Sequence, residues 1–224
     1  MKVRMRRQND VAVDIEALCA GLEALGLKAS ERTVQLFARY AELLGKWNRV
    51  YNLTAIRSDA EILTHHLLDS ASLVPQLKAI APTAGSVLDV GSGGGLPAVP
   101  IAILCPEIRV LAVDAVGKKA AFIQQVAIEL GLRNLRAEHV RVEELEGEFD
   151  VVTSRAFASL GDFTQLTHHL LGKQSVWLAM KGVQSSVEES ELAEQIRIER
   201  VIELTVPGLN EERHLYVMRL TGSE

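Results

Sequence analysis

The chain has 224 residues, 48% hydrophobic and 24% charged, which is enough for one sizeable core with an appendage and too few for two full domains. Its longest apolar stretch, GLPAVPIAILC at 95–105, carries two prolines and falls short of the roughly 20 residues of a membrane helix. The net charge of −5 argues against nucleic acid only until its distribution is read. Residues 1–57 hold ten Lys/Arg against six Asp/Glu, a local +4, and the remainder holds fourteen against twenty-three, a −9.

The chain opens on MKVRMRRQND, where Arg4, Arg6 and Arg7 either touch phosphates or merely solvate a loose terminus. Asp14, Glu16 and Glu23 interrupt any apolar run behind it, so no signal peptide is read. Cys19 and Cys105 sit among apolar neighbours without ligand-like spacing, so neither a disulfide framework nor a metal site is expected, and a cytoplasmic location fits best. From about 13 to 74 the pattern is helical. SERTVQLFARYAELLGKW starts on Ser30 as N-cap and sets Val34, Phe37, Ala38, Ala41 and Leu44 on one face. SDAEILTHHLLDSASLV opens with Ser58 and Glu61 at capping-box spacing.

From residue 86 strands and helices alternate. SVLDV is followed by a helix from about Pro97, then RVLAVDA and a helix over 117–130 stopped at Gly131. NLRAEHV, a short turn, FDVVTSR, a helix near 160–171, SVWLAMKG, another helix and a final strand pair near 198–206 and 214–220 complete the series. The early strands are continuous apolar runs, as suits a parallel sheet covered on both faces. The expected fold is α/β: a doubly wound, mostly parallel, seven-stranded Rossmann-like sheet over 81–224, behind a helical N-terminal extension over 1–80.

The stretch SVLDVGSGGGLPAVP puts a glycine run at the carboxyl end of the first strand, where open α/β sheets bind ligands. A triphosphate loop is excluded, because Gly95 is followed by Leu96 and Pro97 rather than by Lys and a hydroxyl residue. Gly93, Gly95 and Ala98 do satisfy the dinucleotide pattern G-x-G-x-x-A, but in a frame that starts three residues beyond Val90. Asp89, two residues before Gly91, would repel a pyrophosphate and suits a cationic ligand such as S-adenosylmethionine, with its ammonium and sulfonium. Asp114 ends the second strand, placed to accept from ribose hydroxyls, though both adenosine cofactors offer those. After the third strand, Val142 and Glu143 of RVEEL are placed to frame an adenine edge, and a helix-start acid is the plainer reading of Glu143 alone.

Read together, NRVYNLTAIR, HHLLDS, LDVGSGGGLPAVPIAI, RVEEL, FDVVTSRAFASL, AMKG and ERHLYVM resemble the bacterial small-subunit ribosomal RNA methyltransferase G family, also called glucose-inhibited division protein B. The resemblance covers about residues 30–220, in the family's order. It implies S-adenosylmethionine as donor and N7 of a guanine in a 16S rRNA loop as acceptor, with cofactor contacts on Gly91, Leu96, Val142, Glu143 and Arg155. The family often has proline where this chain has Gly94, which should loosen the loop.

The chemistry agrees with that implication. An exocyclic amine usually calls for a polar-Pro-Pro-aromatic box after strand four, where this chain reads TSRAF, and a pyrimidine carbon needs a cysteine, which Cys105 is not placed to supply. Guanine N7 needs neither, since its in-plane lone pair is already nucleophilic. Gly93 completes the expected cofactor loop. Arg155, last residue of strand four, is the candidate catalytic side chain, with a plain salt bridge as its alternative. Arg141, Lys181 and Arg213 are candidates for the RNA side, and Trp47 and Asn52 for the base pocket. His65, His66 and Asp69 could suggest a metal, but adjacent helical histidines diverge by about 100°, so polar or RNA-facing roles are favoured. The expected partner is 16S rRNA or the 30S subunit, with no DNA, no membrane and a monomeric state. A small-molecule methyltransferase and a nucleotide-binding module remain the alternatives.

Overall fold

The computed structural model describes residues 13–53, 58–155, 157 and 159–222. The arginine arm at 4–7 and residues 54–57 of NLTAIR lie outside them. Asp14 caps α1 (Ile15–Ala24), accepting from the amides of Glu16 and Ala17. Ser30 caps α2 (Glu31–Tyr51) as its spacing predicts, and the helix ends on Asn52 in the left-handed region. Of the expected face, Val34, Phe37, Ala41 and Leu44 are buried and Ala38 half-buried, and Tyr40 is buried with them. Ser58 caps the next helix as that spacing predicts: the Glu61 amide donates to Ser58 Oγ at 3.2 Å, and the Glu61 carboxylate turns back to accept from the Ser58 hydroxyl rather than from its amide. That helix, α3 (Asp59–Glu61), runs on through a π-helical segment (Ile62–Leu68) into α4 (Asp69–Ala71) and α5 (Leu73–Ile80).

The sheet then builds in βα units: β1 (Ser86–Val90), α6 (Ala98–Leu104), β2 (Arg109–Asp114), α7 (Gly117–Leu130), β3 (Leu135–His139) and β4 (Phe149–Arg155). The chain continues with α8 (Leu160–Thr167), β5 (Leu171–Lys181), α9 (Ser186–Ser190), β6 (Ile196–Glu203) and β7 (His214–Leu220). Gly131 stops α7 at φ +65°. The strand order is β3-β2-β1-β4-β5-β7-β6. The first five strands pair in parallel, and β7 runs antiparallel between β5 and β6. The order reverses between β1 and β4, and the carboxyl ends of those two strands therefore flank the ligand crevice of this topology.

Every residue of β1 is buried. Successive side chains feed opposite cores: Val87, Val110 and Val151 join one that includes Leu18, Phe37 and Leu44 of the N-terminal helices, and Leu88, Val113 and Val152 join one built around Phe163 and Trp177. Burying each such large apolar side chain contributes about 1.5–3 kcal/mol before entropy is counted. The helices that precede the sheet thus share the core of one sheet face with α6 and α7.

Candidate functional site

β1 delivers the glycine loop to the carboxyl edge of the sheet, and β2 holds it there. The Gly91 amide donates to the Val113 carbonyl at 2.9 Å, and the Gly93 amide to Asp114 Oδ2 at 2.9 Å. Asp114 Oδ1 accepts from the Val116 amide at 2.9 Å, so this carboxylate, 6% exposed, joins the loop to the start of α7. Gly91 has φ +69°, where other residues are strained, and a Cβ built on it meets nothing within 4 Å. The bare backbone at Gly91 therefore borders open space. Gly95 is bare for another reason: a Cβ there would lie 2.7 Å from Val99 Cγ2.

Asp89 lies inside β1 rather than facing the crevice. It is 0% exposed, and its Oδ2 accepts from the Ala98 amide at 3.1 Å, stapling the strand to the first residue of α6. Its Oδ1 has no hydrogen-bond partner. Burial pushes its pKa up to about 7, against the pull of the Ser92 side chain, the Ala98 amide and the nearby Arg155 guanidinium. The sequence sets Asp89 against a cationic ligand; the structure instead buries it behind the loop as an anchor for the backbone of α6.

β4 lies beside β1, and the carboxyl ends of β4 and β5 and the residue before β7 form a pocket of about 490 Å³ with the π-helical segment and Asp69. Arg155 and Arg213 reach it from β4 and from just before β7, and both meet Asp69. Arg155 Nη1 donates to Asp69 Oδ2 at 2.9 Å and to the His65 carbonyl at 2.6 Å, and Arg213 Nε lies 3.3 Å from Asp69 Oδ1. Arg213 also pairs with Glu211 at 2.9 Å, and Lys181 with Glu188 at 2.9 Å. His66 lies against Arg155 at 3.4 Å, and burial, with that positive charge, lowers its pKa to about 4. It is therefore neutral at physiological pH and a weak base. His65 approaches Glu211 at 3.3 Å. Among the described residues no three His, Cys, Asp or Glu side chains are grouped as a metal site. Cys105 is buried, and desolvation pushes its thiol up to about 11.

The structure brings Asp89, Gly91, Gly93 and Asp114 together at the loop, with buried Leu96 behind it. It gathers Arg155, Lys181 and Arg213 at the pocket. Val142 is buried and Glu143 exposed on the 3₁₀ turn Val142–Glu144 that follows β3, and exposed Arg141 precedes that turn. Arg141 is not among the residues that line the pocket. Trp47, expected at the base pocket, instead packs on Phe122 and Tyr51, with ring centroids 5.3 and 5.1 Å away, because it lies on the α2 side that meets α7. Tyr40 was not singled out by the sequence: its hydroxyl donates to the Gly94 carbonyl at 2.6 Å. Its spacing from Phe37 and Leu44 was the available signal, since all three share a helical face.

A parallel sheet with an antiparallel final hairpin, a glycine loop after β1 and a carboxylate ending β2 is the architecture of S-adenosylmethionine-dependent methyltransferases. Solved structures agree on the fold. Magnesium protoporphyrin IX methyltransferase from Synechocystis PCC 6803 superposes with a TM-score of 0.58 at 18% identity, covering 86% of this chain and 98% of that one. A methyltransferase from Aquifex aeolicus gives 0.55 at 18% identity, covering 67% and 91%. Residues 33–216 match the family described as rRNA small subunit methyltransferase G, and the chain belongs to that family. Relatives bearing the name ribosomal RNA small subunit methyltransferase G include one from Acidovorax sp. (strain JS42), 50% identical over 212 residues, covering 91% of this chain and 94% of the relative. Another, from Neisseria meningitidis, is 46% identical over 204 residues, covering 91% and 97%.

Proposed function

We propose that this protein transfers the methyl group of S-adenosylmethionine to N7 of a guanine in 16S rRNA. The observation that carries the reading is an open glycine loop after β1 and, at the ends of the neighbouring β4 and of β5, a pocket that offers positioning groups and no strong base. Gly91 and Gly93 present a bare backbone edge toward the ligand, and Asp89, buried behind the loop, holds it against the start of α6. Asp114 stands at the end of β2, with lone pairs left for ribose hydroxyls beyond the two amides it already accepts. Val142 and Glu143 would border the adenine. The bound cofactor supplies an electrophilic methyl group on a sulfonium.

The acceptor side asks little of the protein beyond alignment. N7 attacks without first losing a proton, so His66 at a pKa of about 4 is no obstacle, and Cys105 is not required. Arg155, fixed by Asp69 and the His65 carbonyl, and Phe157 border the base pocket and hold the guanine in place. Orientation of this kind supplies roughly 7–11 kcal/mol at best.

Mass spectrometry of 16S rRNA after incubation with the protein and S-adenosylmethionine should find one new methyl on guanine N7. With RNA and cofactor both saturating, single-turnover rates should stay nearly flat from pH 6 to 9. A methyl on an exocyclic amine, or a steep rise with an apparent pKa near 7, would overturn the N7 reading.

A further inference from the structure

A cleft of about 1160 Å³ opens at the other end of the sheet, where strands begin rather than end. Lys28 from the α1–α2 loop, Arg32 from α2, Lys78 from α5, Arg109 at the start of β2 and Arg133 from the α7–β3 loop line it. Against these five cations stands one lining carboxylate, Glu107. All five cationic side chains are exposed, and none makes an ion pair within 4 Å among the described residues. Lys78 reaches only the Leu104 carbonyl at 3.5 Å, and Arg109 acts on Asp150 at longer range. The cleft floor is tied together. The Asn134 amide nitrogen lies 3.1–3.2 Å from the carbonyls of Ala102, Cys105 and Ile108, pinning the end of α6 to the entry of β2.

The contrast with the substrate pocket is one of net charge. There Arg155 and Arg213 share Asp69, Arg213 also holds Glu211, and Lys181 holds Glu188, so much of their pull on phosphate is cancelled. At the opposite edge the five cations make no ion pair among the described residues and outnumber the one lining carboxylate, Glu107, in a chain whose overall charge is −5. We propose that this cleft docks the phosphodiester backbone of the substrate rRNA, at a segment remote from the methylated guanine. The proposal rests on the reading of the protein as an rRNA methyltransferase. The cleft exceeds the roughly 300–1,000 Å³ of small-molecule pockets, and its cations come from five separate segments, as suits an extended polyanion. β1 and β2 set the distance between the two sites: five to six residues at about 3.3 Å each, or roughly 20 Å. A folded RNA spans that distance easily.

The test neutralises Lys28→Gln, Arg32→Gln, Arg109→Gln and Arg133→Gln together. Filter binding of 16S rRNA and of isolated small subunits across a salt series gives affinity and its log–log slope, whether or not methyl transfer occurs. Methyl-transfer kinetics are followed on 16S rRNA and on a short hairpin carrying the target guanine. The slope should flatten by about 0.7–0.9 per lost contact, so by roughly 3 in all, and KM for 16S rRNA should rise at least about tenfold. kcat at saturating RNA, S-adenosylmethionine affinity and turnover of the hairpin should stay within about twofold of the parent. Unchanged slope and KM would overturn the proposal. So would an equal loss on the hairpin, and so would a loss seen with subunits but not with naked rRNA, which would assign the cleft to a ribosomal protein. If the parent binds rRNA yet methylates neither rRNA nor subunit, the functional reading fails while the slopes still decide the cleft.

Discussion

The Tyr40 hydroxyl donates a 2.6 Å hydrogen bond to the carbonyl of Gly94, a residue 54 positions further along the chain. A helix that precedes the sheet thus fixes the middle of the ligand loop. Tyr40 is wholly buried, and desolvation raises its pKa far above the ordinary phenol value, so it stays a neutral donor throughout the working range. Tyr40→Phe should cost about 1–3 kcal/mol, because a buried carbonyl loses its donor. It should also weaken S-adenosylmethionine binding several-fold. Urea unfolding and calorimetry read the two effects separately, and parental values in both would show that the loop holds itself.

Two glycines of the same loop should behave differently. At Gly91 an alanine meets no neighbour, so its stability cost should stop at the left-handed backbone strain of about 1–2 kcal/mol, with cofactor affinity taking the larger loss. At Gly95 the φ of +84° adds to a 2.7 Å collision with Val99, so Gly95→Ala should be the more destabilising. Thermal unfolding of the two variants ranks them, and the reverse order would mean the loop packs otherwise.

Asp69 is the shared anchor of the pocket, 3% exposed, with Arg155 on one oxygen and Arg213 on the other. Asp69→Ala would leave two partly buried guanidinium groups without it. We expect a loss of about 2–4 kcal/mol, below the full penalty for a deeply buried pair because both arginines keep some solvent. Arg213→Ala leaves the Arg155 pair intact and should cost less. Chemical denaturation of both variants checks the order.

The pH dependence of stability separates two buried groups with opposite signs. Asp89, with its folded pKa raised to about 7, keeps a proton that the unfolded chain gives up near pH 4, so its contribution falls as pH rises from about 4 to 7. His66, lowered to about 4, refuses a proton that the unfolded chain takes near pH 6.5, so its contribution falls as pH drops from about 6.5 to 4. The two slopes oppose each other over that shared window. Removing the first with Asp89→Asn should leave stability climbing with pH between 4 and 6.5, more steeply than in the parent. Denaturation midpoints at half-unit pH steps measure this, and parallel curves for parent and variant would show that Asp89 titrates near its ordinary value.

Periodicity and caps made much of this molecule legible in advance. Ser30, the Ser58 cap, Gly131 and the continuous apolar runs of β1 and β2 are local signals, because caps and buried strands depend on neighbours within a few residues. The glycine run was legible too, since a ligand loop after the first strand needs left-handed backbone that its own residues must allow. What each charge faces was not. The burial of Asp89 under Ala98, the meeting of Arg155 and Arg213 on Asp69, and the closing of Tyr40 on Gly94 join residues 9, 86, 144 and 54 positions apart, the last three brought together by packing between elements. Charge count alone placed the basic character in residues 1–57. Only the tertiary structure showed that cations at the pocket spend their charge on carboxylates while those at the opposite edge do not, because electrostatic pairing is decided by distance in space rather than along the chain.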